Sequence, residues 1–238
     1  MKEYGKRGAA FLLALVLGVS LTACQKETGD TKGFTEHDAE VYVDGLMKEN
    51  YMGEADEAYL ELVGTHEEDV EALYENALAQ DAEYFFYMHD IDHPTDELRE
   101  EVQEMYREIY KYTKYEIVSA AKQEDGSFSV KLNVFPIDIA QTVSEMKNSA
   151  TEEFYEKYPQ SDINAMGDEE YEELEEEWTQ LIMELYRNAM KEIGNMTEKS
   201  ISILVEQNSE GLYTINNDDF ARLDELIIDY TNMMPDEA

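Results

Sequence analysis

The chain has 238 residues, of which 56 are acidic and 18 are basic, so its formal net charge is −38. This charge argues against nucleic acid as a partner, because binding to phosphates requires a basic surface. The single cysteine excludes an internal disulfide framework and a zinc site built from several thiolates. Hydrophobic residues make up 43% of the chain, enough for a buried core.

The first 23 residues have the pattern of a bacterial export signal. Residues 1–7 carry three basic side chains and one acidic side chain, and residues 8–21 are uncharged and mostly apolar. At about 1.5 Å per residue, this apolar stretch would form a helix of roughly 21 Å, shorter than a bilayer core of about 30 Å. We therefore expect a cleaved signal peptide over residues 1–23 and no permanent membrane span.

The segment ends in Leu-Thr-Ala-Cys, which resembles a bacterial lipobox with Cys24 in the modified position. The resemblance implies that Cys24 becomes the mature N-terminus and carries a diacylglycerol group with palmitate-like acyl chains. Two acyl chains give stable membrane anchoring, where one gives only marginal binding. Residues 24–33 would then be a flexible polar tether on the outer face of the membrane. The alternative is an ordinary secretory signal with a chance cysteine.

Hydrophobic periodicity predicts four helices in the first half of the exported chain. Thr35 is expected to cap the first helix, and Gly53 to end it. A short helix follows over residues 55–63, and the sequence Thr-His-Glu-Glu at 65–68 predicts a capping box that opens the third. The fourth helix begins after a break at residues 90–95.

The hydrophobic pattern then changes to that of β-strands. Residues 115–122 and 127–135 flank an Asp-Gly pair, which is a strong hairpin signal, and the second of these segments alternates in polarity. The remaining predicted elements are a helix over 137–158, a long helix over 168–193 that Gly194 ends, a second hairpin over 200–206 and 212–215, and a last helix capped by Asn217.

No repeat or Pro/Ser-rich linker divides residues 34–230, so we predict one domain there, followed by a frayed tail over 231–238. The predicted fold class is α+β. Four or five helices pack on one face of a four-stranded antiparallel sheet built from two hairpins, with a long helical insertion between the hairpins.

Four segments of this pattern, together with the lipobox, resemble a known family. The four segments are Tyr59–Gly64, Tyr110–Val118, Phe135–Ile139 and Gly211–Ile215. They are similar to uncharacterised lipoproteins of Gram-positive gut and soil clostridia, whose domain is related to nuclear transport factor 2 (NTF2-like). The resemblance implies a cone-like arrangement of the helices and the sheet over most of residues 34–230, and it implies no agreed activity.

Chemical motifs are almost absent, and no catalytic or cofactor-binding residue is predicted. A zincin-like start at His66 lacks the second histidine, because position 70 is Val. A calcium-loop-like start at Asp90 has Pro94 in a ligand position and Thr95 where the loop needs glycine. Neither segment is therefore expected to bind a metal.

His89 and His93 form the one sequence cluster that is typical of a transition-metal site, with Asp90 and Asp92 as further ligand types. Residues at i and i+4 share a face of a helix, but Pro94 disfavours helical geometry at His93. We therefore predict no specific metal site and a polar turn between two helices. The acidic surface should attract divalent cations only weakly and without specificity.

Two further patterns allow both a functional and a structural interpretation. Residues 168–177 hold eight acids, which could form a cation or partner site, or simply a solvated helix face beside the positive end of the helix dipole. The chain has 17 Tyr against 8 Phe, which is typical of a binding surface, but such tyrosines also occupy helix–sheet boundaries. We expect the structural interpretation in both cases.

Three classes of function remain open. The first is a tethered module that binds a protein, peptide or glycan at the cell envelope, and it is the one we favour. The second is a cell-envelope enzyme, which would need a deep pocket with convergent polar groups and a perturbed carboxylate. The third is a structural or envelope-stress component with a filled cone and no small ligand. An exposed tyrosine patch would favour the binding module.

Overall fold

A computed structural model describes residues 33–209, 211–230 and 233. Cys24, the predicted signal peptide and nearly all of the predicted tether and tail lie outside the described residues. Met233, the described residue of that tail, is buried in the core. In the described part of the chain, no helix has both the length and the apolar character needed to cross a membrane.

The described residues form an α+β fold with eight helices and one open, four-stranded antiparallel sheet, which confirms the predicted fold class. Two of the eight helices are only seven and four residues long. The helices are α1 Glu36–Met52, α2 Glu57–Val63, α3 Glu67–Met88, α4 Asp96–Tyr110, α5 Ile139–Lys157, α6 Gln160–Ile163, α7 Asp168–Ala189 and α8 Asn217–Ile227, and the strands are β1 Lys114–Lys122, β2 Phe128–Phe135, β3 Lys199–Gln207 and β4 Tyr213–Ile215.

The strand order β1-β2-β3-β4 places the two predicted hairpins side by side, and the insertion α5–α7 connects the neighbours β2 and β3. Alternation in β2 and β3 buries one face of the sheet against α1 and α8. Helices α3 and α4 pack on each other and on α1, farther from the sheet. The buried strand residues are Phe128, Val130, Leu132, Val134, Ile201, Ile203 and Val205.

Local hydrogen bonds explain where the first helices begin and end. The Thr35 hydroxyl accepts from the Asp38 amide at 3.2 Å, and the Asp38 carboxylate accepts from the Thr35 amide at 2.8 Å, which is a complete capping box. Gly53 ends α1 in the left-handed conformation with φ 66°, a region that glycine enters without steric cost. Thr95 caps α4 by accepting from the Leu98 amide at 3.1 Å. The predicted cap at Thr35 and the predicted helix end at Gly53 are confirmed.

Three predicted helix ends are wrong. The third helix begins one residue later than expected, with His66 at the cap position and its amide bonded to the Asp69 carboxylate at 3.3 Å. The last helix is capped by Asn216 rather than Asn217, because the Asn216 side chain accepts from the next turn. Helix α7 ends at Ala189, with Met190 at the cap position, so Gly194 does not cap it. The Gly194 amide donates instead to the carboxylate of Asp138, the residue before α5, at 2.8 Å.

Candidate functional site

A small cavity of about 40 Å³ lies between helices α1, α3, α4 and α8. Its walls combine aromatic rings with carboxyl groups that come from four separate helices. The side chains that matter for its chemistry are Tyr51 from α1, Ala77 and Asp81 from α3, Tyr110 from α4, and Phe220 and Asp224 from α8.

Two tyrosine–aspartate pairs define the chemistry of this cavity. The Tyr110 hydroxyl donates to Asp81 Oδ2 at 2.8 Å, and the Tyr51 hydroxyl donates to Asp224 Oδ1 at 2.8 Å. The two tyrosine rings meet edge to face, with centroids 5.4 Å apart. Asp81 is 7% exposed, and Asp224 is half-buried. The site therefore holds two carboxyl groups whose positions are fixed by aromatic donors.

Burial gives the two carboxyl groups different protonation behaviour. Desolvation raises the pKa of Asp81 to about 8, the charge of Asp224 adds to this effect, and the hydrogen bond from Tyr110 opposes it. Desolvation also raises the pKa of Asp224 to about 6, against the hydrogen bond from Tyr51. At neutral pH, Asp81 is therefore mostly protonated and Asp224 mostly ionised, so the cavity offers a carboxylic acid beside a carboxylate.

A third buried acid, Glu49 on α1, lines the same cavity. It is 5% exposed, and its Oε2 accepts from the Tyr59 hydroxyl at 3.0 Å. Burial raises the pKa of this carboxyl group above its usual range, and the Tyr59 hydrogen bond lowers it. Tyr59 reaches Glu49 because its ring lies directly against Gly45, where a side chain would leave no space.

An open cleft of about 850 Å³ adjoins the cavity, and the two share Tyr51 and Tyr110. Arg107 and Lys111 bring positive charge to the cleft, but Arg107 is already paired with Glu75 at 2.9 Å. The carboxylates that line the cleft without an ion-pair partner among the described residues are Glu54, Glu67 and Glu71. The cleft is therefore an acidic entrance beside the two Tyr–Asp pairs.

Sequence reasoning did not identify these residues. Asp81 could have been recognised, because it continues the apolar face of α3 that runs through Leu78, Ala82 and Phe85, where a charged side chain is unusual. Asp224 carries the same signal, because it lies between Phe220 and Ile227 on the apolar face of α8, but its partner Tyr51 lies 173 residues away.

The structure separates His89 from His93. Helix α3 ends at Met88, so the two residues do not share a helix face. His89 is fully buried, with Nε2 3.1 Å from the Tyr186 hydroxyl. His93 is exposed, and Glu175 accepts from its amide at 2.6 Å and lies 2.9 Å from its Nδ1. Among the described residues, no group of three or more metal-ligating side chains comes together.

Burial lowers the pKa of His89 to about 3, and the charge of the nearby Lys147 ammonium group is the second, smaller cause. This histidine is therefore neutral at physiological pH. The ring of His89 packs edge to face on Phe85 and Tyr186, which is the environment of a core side chain. The carboxylate of Glu175 instead raises the pKa of His93, through a hydrogen bond and through its charge.

Zinc is expected to change the melting temperature of the protein equally with and without the two histidines. The test compares the zinc-induced shift in the wild type, in His93→Ala and in His89→Ala/His93→Ala, because loss of buried His89 lowers the baseline stability by itself. Any shift should disappear at high salt, since salt screens diffuse attraction to an acidic surface. A zinc-dependent stabilisation that needs both histidines and survives high salt would show a specific site.

The acid-rich start of α7 is mainly a solvated surface. Most of its carboxylates are exposed, and Glu177 is paired with Lys157 at 2.7 Å. Glu175 is the exception, because it is buried and fastens the α3–α4 loop through His93. The described tyrosines fall into three groups. Five are half-buried, and the others are either buried or exposed. The buried ones are Tyr42, Tyr51, Tyr59, Tyr74, Tyr106, Tyr110 and Tyr186, and the exposed ones are Tyr87, Tyr112, Tyr155 and Tyr171.

Comparison with known proteins gives one structural match. The crystal structure of YcdA, a putative lipoprotein from Bacillus subtilis, is similar to this chain with a TM-score of 0.51 and 13% sequence identity. The match covers 80% of this chain and 56% of YcdA, so this chain spans little more than half the length of the protein it matches. At this identity the likeness shows a shared fold. No protein-family model and no curated protein matches the sequence.

Proposed function

We propose that this protein is an exported lipoprotein of a Gram-positive cell, anchored through Cys24 to the outer face of the cytoplasmic membrane, whose domain binds a ligand in the cavity and its acidic cleft. The lipobox at Cys24 and the fold shared with a putative lipoprotein support the anchored location. We extend the proposal to the family: the chain is a member of the clostridial lipoproteins with an NTF2-like domain.

The two Tyr–Asp pairs carry the binding part of the proposal. Buried carboxyl groups cost stability, and an apolar cluster of similar volume would stabilise the helices at least as well. Such groups are therefore better explained by recognition than by packing. The opening of the cavity beside a wide cleft supplies the access that a ligand requires.

A cell-envelope enzyme is the second candidate, and one observation favours it. A carboxyl group with a pKa of about 8, such as Asp81, is suited to general acid–base catalysis near neutral pH. The cavity is nevertheless small, and no histidine, serine, cysteine or lysine is among the described residues that line it. The binding module therefore remains the function we favour over the enzyme and over a purely structural component.

The variant Cys24→Ser should release the protein from the membrane or leave an unprocessed precursor. Serine cannot carry the thioether-linked diacylglycerol, so the two acyl chains that hold the protein at the membrane would be lost. Cell fractionation followed by immunoblotting measures the outcome. A Ser variant that still sediments with membranes as a mature-sized chain would contradict the anchor.

Photo-crosslinking on intact cells tests the binding part. A photoreactive amino acid replaces Asn76, which lines the cavity, and a control carries the same amino acid at the exposed Ala72 of the same helix. We expect an adduct specific to position 76 that disappears when Ala77→Trp fills the cavity. Identical adducts at both positions, or an adduct that survives the filled cavity, would contradict binding at this site.

A further inference from the structure

The two aspartates of the cavity, Asp81 and Asp224, each have one carboxyl oxygen that makes no hydrogen bond to another described residue. Tyr110 occupies Asp81 Oδ2 and Tyr51 occupies Asp224 Oδ1, while the other oxygen of each group has no hydrogen-bond partner among the described residues. Asp81 is more than nine-tenths buried and lines the cavity. An oxygen that lines a cavity and has no protein partner can bond to water or to a ligand that enters the cavity.

The dimensions of the cavity limit that donor to a small group. A volume of about 40 Å³ accommodates a few waters or one compact headgroup, whereas the adjoining cleft of about 850 Å³ can hold an extended chain. Because the cavity and the cleft share Tyr51 and Tyr110, a ligand could place its end in the cavity and its length along the cleft.

The negative charge of the site determines that the ligand should be positively charged. The cleft adds Glu54, Glu67 and Glu71, which have no ion-pair partner in the described part of the chain, to the carboxyl groups of the cavity. Tyr51 and Tyr110 line both the cavity and the cleft, and aromatic rings attract cations. These carboxylates would repel an anionic headgroup, and a neutral headgroup would leave their negative charge uncompensated.

We propose that the cavity binds a primary alkylammonium group between Asp81 and Asp224, and that the rest of the ligand, a polyamine or a peptide bearing a lysine, extends along the acidic cleft. The inference rests on the binding function proposed above and adds the chemical class of the ligand. A compact ammonium group has three donors, one for each free carboxylate oxygen and one for water or a tyrosine hydroxyl. A planar guanidinium group is larger and fits such a cavity less well.

Binding of the ammonium group should also displace a proton from Asp81. In the empty site Asp81 carries a proton at neutral pH, held by burial and by the neighbouring charge of Asp224. The other titratable groups that face the cavity are Glu49, Tyr51 and Tyr110. When the cation enters, Asp81 ionises and its proton passes to the buffer, while the ligand keeps its own. Binding should therefore release up to one proton per ligand at pH 7, and less as the pH rises above 8.

Calorimetric titration of the full chain carrying Cys24→Ser tests this inference. The probes are spermidine, an N-acetylated lysine amide peptide, the matching arginine peptide and 1-pentanol as a neutral control, each in phosphate and in Tris at pH 7. The dependence of the apparent enthalpy on the buffer gives the number of protons released. We expect at least tenfold tighter binding of an amine than of the arginine peptide or the alcohol, and the tighter of the two amines identifies a polyamine or a lysine side chain.

Asp81→Asn should weaken amine binding at least tenfold and abolish proton release, because the amide keeps the shape of the side chain without its charge. Asp162→Asn on the exposed α6 is the matched control, and it should leave affinity unchanged even though it removes the same charge. Equal losses in both variants, or equal binding of the alcohol, would show diffuse attraction and overturn the inference.

The two proposals can fail separately. If no amine binds but the crosslink at position 76 persists, the ammonium inference fails while the binding function stands. If amine binding and the crosslink are both absent, both proposals are wrong.

Discussion

The variant Asp81→Asn is expected to raise the free energy of unfolding by several kcal/mol at pH 8 and to change it little near pH 4. The variant amide can still accept the hydrogen bond from Tyr110, so the packing of α3 against α4 is preserved. Unlike the protonated side chain of Asp81, the amide has no proton to lose. The effect is therefore a measure of what it costs the folded protein to ionise a carboxyl group at this position.

The sign follows from the two pKa values of Asp81. Its pKa is about 8 in the folded protein and 3.8 in a solvated reference state. Below pH 3.8 both states are protonated, and the stabilising contribution of the neutral buried acid is fully present. Between 3.8 and 8 the unfolded state loses its proton while the folded state keeps it, so stability falls as pH rises. One pKa unit corresponds to about 1.4 kcal/mol, which makes the full effect several kcal/mol.

Urea unfolding of the wild type and of Asp81→Asn from pH 4 to pH 9 measures this difference directly. The general repulsion among the other acids contributes to both proteins and cancels in the comparison. Asp162→Asn, which removes an exposed carboxylate, should follow the wild-type curve. Parallel curves for the wild type and Asp81→Asn would mean that Asp81 is ionised throughout and that its burial has no energetic consequence.

The sheet could be predicted from the sequence because its signals are local. Alternation along residues 128–134 fixes which face of β2 is buried, and the Asp-Gly turn fixes its register with β1. The same holds for the helices, whose apolar faces recur at the helical period. Helix ends were harder to predict, since Gly194 has the residue type of a cap, but its backbone is bonded to Asp138, 56 residues away.

The candidate site could not be predicted, because its geometry is not local. Tyr51, Asp81, Tyr110 and Asp224 lie on four helices, and only the packing of α1, α3, α4 and α8 brings them together. In a chain with 56 acids, a pair of carboxyl groups also carries little information by itself. The argument from Pro94 correctly separated the two histidines, but it gave no indication that His89 would be buried against Tyr186, which lies 97 residues later.

Gly45→Ala is expected to destabilise the protein strongly, although the same change in an open helix is favourable. Alanine exceeds glycine in helix propensity by about 0.8–1.0 kcal/mol. At position 45, however, a Cβ atom would lie 1.9 Å from Cδ2 and 2.1 Å from Cγ of the Tyr59 ring. Tyr59 is 3% exposed and cannot move without separating α2 from α1. Overpacking of this kind typically costs 1–3 kcal/mol or more, which outweighs the propensity.

The displaced ring would also withdraw its hydroxyl from Glu49, so a buried carboxyl group would lose its donor and stability would fall further. A double-mutant cycle separates the clash from the other contributions. In the background Tyr59→Ala the ring is absent, and Gly45→Ala should then be neutral or stabilising, because only helix propensity remains. Chemical unfolding of the four proteins measures this reversal of sign. If Gly45→Ala costs the same in both backgrounds, the contact between Gly45 and Tyr59 does not determine how α2 packs on α1.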